Sequence, residues 1–421
     1  MTTVESLERR VSSYLRKWLG LPKCLSSAAL YGKTNTLQLP FKGLKEEFMV
    51  TRTREALQYR DSKDPKVATA GIEIRTGRKW DAKRELQIAE ERLRHKAIVG
   101  TVAKGRSGLG YHPSIKIPNA GCKEYHQLLQ GEVRAGMEES RLSTMVALGQ
   151  QGAWTKWQDV VQRKILWADF WRPNFYSTTF LIQAVYDTLP SPANLNIWGI
   201  KENTSCPLCE GRGTLQHILS NCPKALGEGR YRWRHDQVLG VIAEILKTAI
   251  RTSVFDTNKK EVKFIKAGDK APPQKKKNRT GKLSAAPDWQ MLADLGKQLK
   301  FPIHIAATNL RPDIVIFSNQ KKIIIMLELT VSWEENIETA NERKREKYGD
   351  LVNECREQGW HATCEPIEVG ARGFIGGSLC KTLSKLGFTG LNKKKAIQAI
   401  IKKTEDATRW LWIKRSEPWH K

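Results

Sequence analysis

Four side chains that commonly bind zinc stand close together in the middle of the chain. Cys206 and Cys209 form a C-x2-C pair, and His217 and Cys222 follow. Zinc takes a tetrahedral set of thiolate and imidazole donors, and a gap of two residues lets a tight turn direct both sulfurs at one ion. The alternative is a group of free cysteines near a core histidine, but this spacing favours a metal site. The sequence therefore predicts a structural Zn2+ finger, with a short helix at 214–221 that presents the histidine.

Basic and aromatic side chains alternate directly after this cluster, in the order Arg230, Tyr231, Arg232, Trp233, Arg234 and His235. Such a mixture suits contact with phosphates together with stacking on bases or sugars. An amphipathic helix whose basic side chains extend to solvent is an equally good interpretation. The candidate nucleic-acid contacts are Arg230, Arg232, Arg234 and, further along the chain, Arg311.

Two acidic residues lie at the ends of two apolar segments near the last third of the chain. Asp313 begins a strand predicted over 313–317, and Glu328 lies near the end of a strand predicted over 322–329. A hairpin would bring the two carboxylates together, where they could bind Mg2+ or Mn2+ through hard oxygen donors. Such an ion lowers the pKa of a bound water and neutralises charge on phosphate. The alternative is a pair of strand-end acids in ordinary salt bridges.

Two lysines on the following helix favour the metal site over the salt-bridge alternative. The helix is predicted over 333–358, and Lys344 and Lys347 fall on or beside its sheet-facing stripe. A lysine there could orient the attacking water or stabilise developing negative charge, although either side chain could also extend to solvent. We favour Lys347, because it precedes Tyr348, whose ring would pack against the sheet and fix the rotation of the helix.

The elements that would position these residues follow an α-β-β-β-α-β order. Beside the segments named above, the periodicity predicts a helix over 288–299, a brief strand over 304–307 and a last strand over 361–369. The expected fold class is therefore multidomain, with a mainly helical N-terminal half, a small zinc finger and an α/β C-terminal domain.

The composition indicates a polyanionic partner. The chain has 421 residues, and 71 Lys and Arg against 44 Asp and Glu give it a net charge of +27. Nucleic acid is the expected partner, and no small-molecule substrate is expected. A membrane is not expected either, since no apolar run approaches the roughly 20 residues of a spanning helix. Eight cysteines are too few for a disulfide scaffold of this length, which favours metal binding in a reducing compartment.

Breaks in composition divide the chain into six parts. In the first 60 residues a helix should bury one face, formed by Leu7, Val11, Tyr14, Leu15 and Trp18, before a break at 20–22. A later helical block should bury four tryptophans, Trp154, Trp157, Trp167 and Trp171; the alternative is that some of them stack on bases. The expected parts are a helical region at 1–135, a Trp-rich helical linker domain at 136–200, the finger with a basic helix at 201–256, a basic flexible linker at 257–284, the α/β domain at 285–390 and a basic C-terminal helix at 391–421.

Together these motifs resemble the C-terminal region of non-LTR retrotransposon proteins that carry a restriction-like endonuclease of the PD-(D/E)xK type. The resemblance rests on the spacing of the finger ligands, the Arg311-Pro312-Asp313 motif, the Glu328-Leu329-Thr330 strand end and the segment 344–348. The segment 16–22 also resembles the region just beyond the polymerase in such proteins, so most of the chain is covered.

The resemblance implies a restriction-endonuclease-like fold for the α/β C-terminal domain, with a metal held by Asp313 and Glu328. It also implies a catalytic lysine moved from the strand to the next helix, because Thr330 stands where the usual motif has lysine. Such enzymes nick target DNA in the nucleus, and the freed 3′-hydroxyl primes reverse transcription of the element RNA. No polymerase palm motif is present, so this chain is not expected to synthesise DNA. The alternatives are a non-catalytic nucleic-acid-binding remnant of an element and an RNA-binding or packaging protein.

Overall fold

The computed structural model describes residues 1–69, 80–105, 108–112, 116–118, 122–171, 175–255 and 281–419. The chain divides into two units. The first contains Met1–Lys156 and Gln162–Thr188, and the second contains Trp157–Val161 and Leu189–Lys421. Most of the linker expected at 257–284 lies outside the described residues. Among the residues that are described, no helix is long and apolar enough to span a membrane.

The first unit is built mainly from helices. Short strands accompany them: β1 (Leu37–Gln38) pairs in parallel with β4 (Arg163–Lys164), and β2 (Thr101–Gly105) is antiparallel to β3 (Gly108–His112). Its helices are α1 (Thr2–Trp18), α2 (Ser27–Tyr31), α3 (Leu44–Arg60), α4 (Pro65–Thr69), α5 (Ala82–Val99), α6 (Lys123–Ala147), α7 (Trp167–Phe170) and α8 (Phe175–Val185).

Helices α3, α5 and α6 share an apolar core. The helical spacing of Leu86, Ala89 and Leu93 predicts a buried stripe on α5, and these residues do pack against Leu57 of α3 and Leu129 of α6. The boundary expected at 135/136 falls inside α6, where a continuous helix leaves no linker. That expected boundary is therefore wrong.

The expectation for α1 is also wrong about which face is buried. Leu7, Val11, Tyr14 and Trp18 are all exposed, with Tyr14 at 68%. The helix instead turns a polar side inward: the Ser12 hydroxyl hydrogen-bonds the Tyr31 hydroxyl at 2.9 Å and is 1% exposed. Directed polar contacts have therefore set the rotation of α1, which apolar periodicity alone does not foresee.

The tryptophans expected in a core are divided between interior and surface. Trp154 is buried and Trp157 is half-buried, but Trp167 and Trp171 are exposed by 48% and 73%. Helix α7 is only four residues long and buries Phe170, while the exposed indoles of Trp167 and Trp171 pack against Phe41 and Trp18. A short helix covers too little surface to bury every ring that its sequence carries.

In the second unit, a mixed sheet carries helices on both faces. Its strands are β5 (Gln290–Ala293), β6 (Ile314–Ser318), β7 (Ile323–Ser332) and β8 (His361–Gly370). Within the described residues their order is β5-β6-β7-β8, antiparallel except for the parallel pair β7 and β8. The helices are α9 (Pro192–Ile197), α10 (Pro223–Gly227), α11 (Arg230–Phe255), α12 (Ile337–Lys347), α13 (Gly349–Glu357), α14 (Gly377–Leu386) and α15 (Gly390–Ile413).

Alternation along the strands separates two cores. Val315 and Met326 point to one face, where they pack against Tyr348 and α13. Ile316 and Leu327 point to the other face, which α11, α14 and α15 cover. The strands expected at 313–317, 322–329 and 361–369 are confirmed within one to three residues at their ends.

Three elements differ from the expectation. The segment expected as a helix at 288–299 contains strand β5, which pairs with β6, and the brief strand expected at 304–307 is a turn and coil. The helix expected at 333–358 is broken at Tyr348 into α12 and α13. The helix that precedes the sheet is instead α11, which joins the same core as α15. The expected boundaries at 256 and 390 therefore do not separate independent cores.

Glu46 provides a test of the first unit. Its buried carboxylate is 2.6 Å from Lys33 Nζ and 2.6 Å from Arg141 Nη1. Burial would raise the pKa of Glu46, but the hydrogen bonds from Lys33 and Arg141 outweigh burial and lower the pKa to about 2. A lowered pKa contributes stability that is present above the unfolded value of about 4.5 and is lost as the pH falls towards 2.

We therefore expect Glu46→Gln to destabilise the first unit by about 3 kcal/mol at pH 7, because it leaves buried cations without their counter-charge. The difference from wild type should shrink between pH 4.5 and 2. Hydrogen exchange of α3 and α6 measures the effect, and the exposed Glu91→Gln is the control. An unchanged difference at pH 3 would contradict the assignment.

Candidate metal centres

The four finger residues converge in the second unit. The ligand atoms of Cys206, Cys209, His217 and Cys222 all lie within 4.8 Å of one another. Cys209 Sγ is 3.0 Å from His217 Nε2, and Cys206 Sγ is 3.9 Å from Cys222 Sγ. Three thiols and one imidazole at these distances form a cluster that could bind zinc.

A tight turn between the first two cysteines makes this convergence possible. The Cys206 amide donates to the Gly211 carbonyl at 2.6 Å, and the Gly211 amide donates to the Cys209 carbonyl at 2.7 Å. Gly211 lies against the histidine: a Cβ at this position would come within 3.3 Å of His217 Cε1. The expected helix presenting His217 is observed as a single turn over His217–Asn221.

Side chains of helix α11 hydrogen-bond to the backbone of the finger. The Tyr231 hydroxyl accepts a hydrogen bond from the Cys222 amide at 3.0 Å and lies 3.1 Å from the His217 carbonyl, to which it can donate. Arg234 Nη1 donates to the Leu219 carbonyl at 2.9 Å. The finger is therefore bonded to the helix that also covers the sheet.

The arginines expected to contact nucleic acid occupy different environments. Arg230 and Arg234 are only 2% and 1% exposed, and both donate to backbone carbonyls. Phosphates cannot reach these two guanidinium groups, so the expectation is wrong for them. Arg232 is exposed but forms ion pairs with Asp236 and Asp294 at 3.0 Å each. Arg311 is exposed.

The second candidate centre is the acidic pair. Ile314 pairs with Leu327 across β6 and β7, and this register places Asp313 opposite Glu328. The Asp313 amide donates to Glu328 Oε2 at 3.2 Å, and the Leu329 amide donates to Asp313 Oδ2 at 2.7 Å. The structure thus brings together the two acids singled out in the sequence, and both are buried, at 8% and 3% exposure.

Two lysines of α12 approach Glu328. Lys344 Nζ forms a close ion pair with Glu328 Oε1, whereas Lys347 Nζ is 4.0 Å from the same oxygen. Lys347 also donates to the Tyr348 hydroxyl at 3.1 Å, and its ammonium lies 4.7 Å from the centre of that ring. The two lysines therefore reach the acidic pair differently, one directly and one through Tyr348.

Tyr348 is buried at the break between α12 and α13, against the sheet as expected. Its hydroxyl lies 2.9 Å from Glu328 Oε2 and 2.9 Å from the Arg311 carbonyl, so its one proton can go to either acceptor. Burial and the negative charge of Glu328 raise the pKa of Tyr348. The phenol therefore remains a neutral hydrogen-bond donor beside the carboxylates.

His235 completes this site, and the sequence analysis did not single it out there. Its Nε2 is 3.3 Å from Asp313 Oδ2, and its Nδ1 is 3.1 Å from Asp236 Oδ1. Burial alone would lower the pKa of His235, but hydrogen bonds to the two aspartates raise the pKa to about 9. A signal was present: the buried stripe of Val238 and Leu239, extended back by one turn, includes His235 and Arg234.

Thr330 occupies the position at which the usual motif has lysine. It follows Glu328 on the same face of β7, and its hydroxyl is buried without a hydrogen-bond partner among the described residues. A hydroxyl supplies no positive charge. The cations nearest the acidic pair come instead from α12, as Lys344 and Lys347, and from α11, as His235.

Comparison with known proteins adds no assignment to this geometry. No family model matches the chain, and no curated protein matches it. A function must therefore be argued from the two centres themselves.

Loss of the finger ligands should release zinc and loosen the second unit. We expect Cys209→Ser to abolish stoichiometric zinc binding, because a thiolate donor is lost from a four-ligand set. Exchange of the amides at 214–221 and in the first turns of α11 should accelerate, since Tyr231 and Arg234 bond to finger carbonyls.

Elemental analysis of the purified chain and hydrogen-exchange mass spectrometry measure the two effects. The exposed Cys24→Ser, in the first unit, is the matched control and should retain one zinc. Wild-type protein that folds without zinc would contradict this assignment.

Proposed function

We propose that the second unit is a divalent-cation-dependent DNA endonuclease of the PD-(D/E)xK type. The observation that carries the proposal is the juxtaposition of Asp313 and Glu328, two buried carboxylates on paired strands, with Lys344 in direct contact with Glu328. Ordinary strand-end acids would remain solvated at the surface. Burial of two acids side by side is costly unless cations compensate them.

The donor set fits a hard divalent cation. Asp313 and Glu328 would hold it, because carboxylate oxygens are the preferred ligands of Mg2+ and Mn2+. When bound, such an ion supplies an activated water and neutralises charge on the scissile phosphate.

The residues of the chain have separable roles in this proposal. The Asp313 amide and the Tyr348 hydroxyl hold Glu328 Oε2 from two sides and so fix the carboxylate. Lys344 is the leading candidate for a cation beside the reacting phosphate, since its ammonium already lies at Glu328. Lys347, favoured by the sequence argument, is 46% exposed and is positioned to contact either phosphate or Tyr348.

The order of elements supports a restriction-like fold. With α11 as the first helix, the second unit runs α11, β5, β6, β7, α12 with α13, and β8. This is the α-β-β-β-α-β order that the sequence predicts for the C-terminal domain, with Asp313 immediately before β6 and Glu328 on β7. Because the finger and motif spacing also resemble those of non-LTR retrotransposon proteins, we propose that the enzyme nicks target DNA in the nucleus and so primes reverse transcription of an element RNA.

A second candidate is a nucleic-acid-binding module without catalysis. The net charge of +27 and the zinc-type finger favour it, since both would serve binding alone. The burial of Arg230 and Arg234 removes two of its expected contacts, and the surface that remains includes Arg311. The two candidates differ in whether the acidic pair is needed for the measured activity.

Substitution of Asp313 distinguishes the endonuclease from the binding module. We expect Asp313→Asn to lower Mg2+- or Mn2+-dependent nicking of supercoiled plasmid by about a hundredfold or more, because the metal contributes several kcal/mol to transition-state stabilisation. Duplex DNA affinity, measured by fluorescence anisotropy, should change less than about threefold.

The exposed Asp350→Asn is the matched control and should cut normally. Wild-type protein that binds duplex DNA but never cuts it would leave the binding module as the function. A preference for structured RNA over duplex DNA in competition would instead indicate an RNA-binding or packaging protein.

The lysines can be ranked in the same assay. We expect Lys344→Ala to reduce turnover by about a hundredfold with little loss of affinity, because a cation at the reacting phosphate acts mainly in the transition state. Lys347→Ala should have the smaller effect on turnover and a larger effect on the salt dependence of binding.

Arg343→Ala, which removes an exposed cation from the same helix, controls for general loss of charge. Normal cutting by both lysine variants would contradict a catalytic cation on α12.

A further inference from the structure

Helix α12, which carries Lys344, has few apolar contacts with the sheet. Of its eleven residues, Ile337 and Ala340 are the two that are both apolar and buried, and they lie in its first turn. Apolar contacts are non-directional, so two of them at one end do not fix the rotation of the helix. Directed polar contacts are therefore needed to determine where Lys344 points.

Asn341 supplies such a contact one turn before Lys344. This side chain is buried, its Nδ2 donates to Glu368 Oε1 on β8 at 2.8 Å, and its Oδ1 accepts from Arg345 Nε at 2.8 Å. A carboxylate only accepts hydrogen bonds and a guanidinium only donates them, so the two neighbours fix the orientation of the amide. Asn341 thus connects α12 to the sheet in one geometry.

Glu368 is itself held from a second direction. The Ser378 hydroxyl on α14 donates to Glu368 Oε2, and both residues are buried. On the sheet, Glu368 lies opposite Thr330, which follows Glu328 on the same face of β7. The acceptor of the Asn341 amide is therefore a fixed point on the strand next to the one that carries Glu328.

We propose that Asn341 and Glu368 form a positioning pair, which sets the rotation of α12 so that the Lys344 ammonium reaches Glu328. The inference rests on the proposed function, in which Lys344 acts beside the reacting phosphate. Asn341 and Lys344 are three positions apart and so lie on the same side of the helix. Tyr348, bonded to Glu328 at the other end of α12, is a second anchor about 10 Å along the helix axis.

The hydrogen bond between Asn341 and Glu368 can select one rotation because the alternatives are costly. A rotation of α12 that breaks this bond leaves two buried polar groups short of a partner. A bond to a carboxylate is also stronger than a bond between neutral groups. Two residues that need not touch the phosphate or the metal thereby determine the position of the lysine.

Reversal of the direction of this hydrogen bond tests the positioning pair. Asn341→Asp keeps the size of the side chain but makes two carboxylates face each other, so the bond is lost. Glu368→Gln alone still offers an acceptor to Asn341. The two substitutions together restore one donor and one acceptor, with the direction of the bond reversed.

We expect Asn341→Asp to lower turnover in plasmid nicking about tenfold or more and to change duplex DNA affinity less than about threefold, because a misplaced lysine affects the transition state more than binding. The double variant should recover most of the turnover. Asn353→Asp, which makes the same change of charge at an exposed position on α13, is the matched control and should cut normally.

A second readout needs neither DNA nor cutting. The ammonium protons of a lysine held in an ion pair exchange slowly with water, so NMR of isotope-labelled lysine can detect Lys344, whose signal is identified by its loss in Lys344→Ala. Asn341→Asp should shift or remove this signal, and the double variant should restore it. Asn341→Ala, which removes the hydrogen bond without adding a charge, should act as Asn341→Asp does.

Normal turnover or an unchanged ammonium signal in both folded Asn341 variants overturns the inference, and so does a double variant that recovers neither property. Failure of the proposed function looks different. In that case the wild type would not cut, or Asp313→Asn would cut normally, while the ammonium signal would still decide whether Asn341 positions Lys344.

Discussion

The buried guanidinium of Arg234 links the parts of the second unit to one another. It donates to the Leu219 carbonyl in the finger at 2.9 Å, and it lies 3.4 Å from the Val331 carbonyl on β7. Burial lowers the pKa of Arg234 to about 10, which still leaves it charged at neutral pH. A buried charge is tolerated only with its hydrogen-bond acceptors in place, so the finger, α11 and the sheet must keep one relative arrangement.

That arrangement connects the cluster that could bind zinc to the acidic pair, the candidate catalytic centre. Residues within two turns of α11 serve both: Tyr231 bonds to the finger backbone, and His235 reaches Asp313. Movement of the N-terminal end of the helix would therefore disturb both centres. The finger and the acidic pair are thus linked through the position of α11.

The sequence alone determined the features that depend on short spacings along the chain. Cys206 and Cys209 are separated by one tight turn, so their convergence is a local property. Asp313 immediately precedes β6 and Glu328 lies in β7, and the short turn between these antiparallel strands brings the two acids opposite each other. Both sets of residues could therefore be identified before the fold was known.

Tertiary structure decided which faces are buried and which distant residues meet. Leu7, Val11 and Trp18 of α1 are exposed although they are apolar, whereas Arg234 of α11 is buried although it is charged, because the packing surface is supplied by other segments. Arg230 and Arg234 are buried because acceptors from the segment that follows α15 and from the finger surround them, and those acceptors lie up to 187 positions away. His235 meets Asp313 for the same reason, since their contact spans 78 positions that no local pattern encodes.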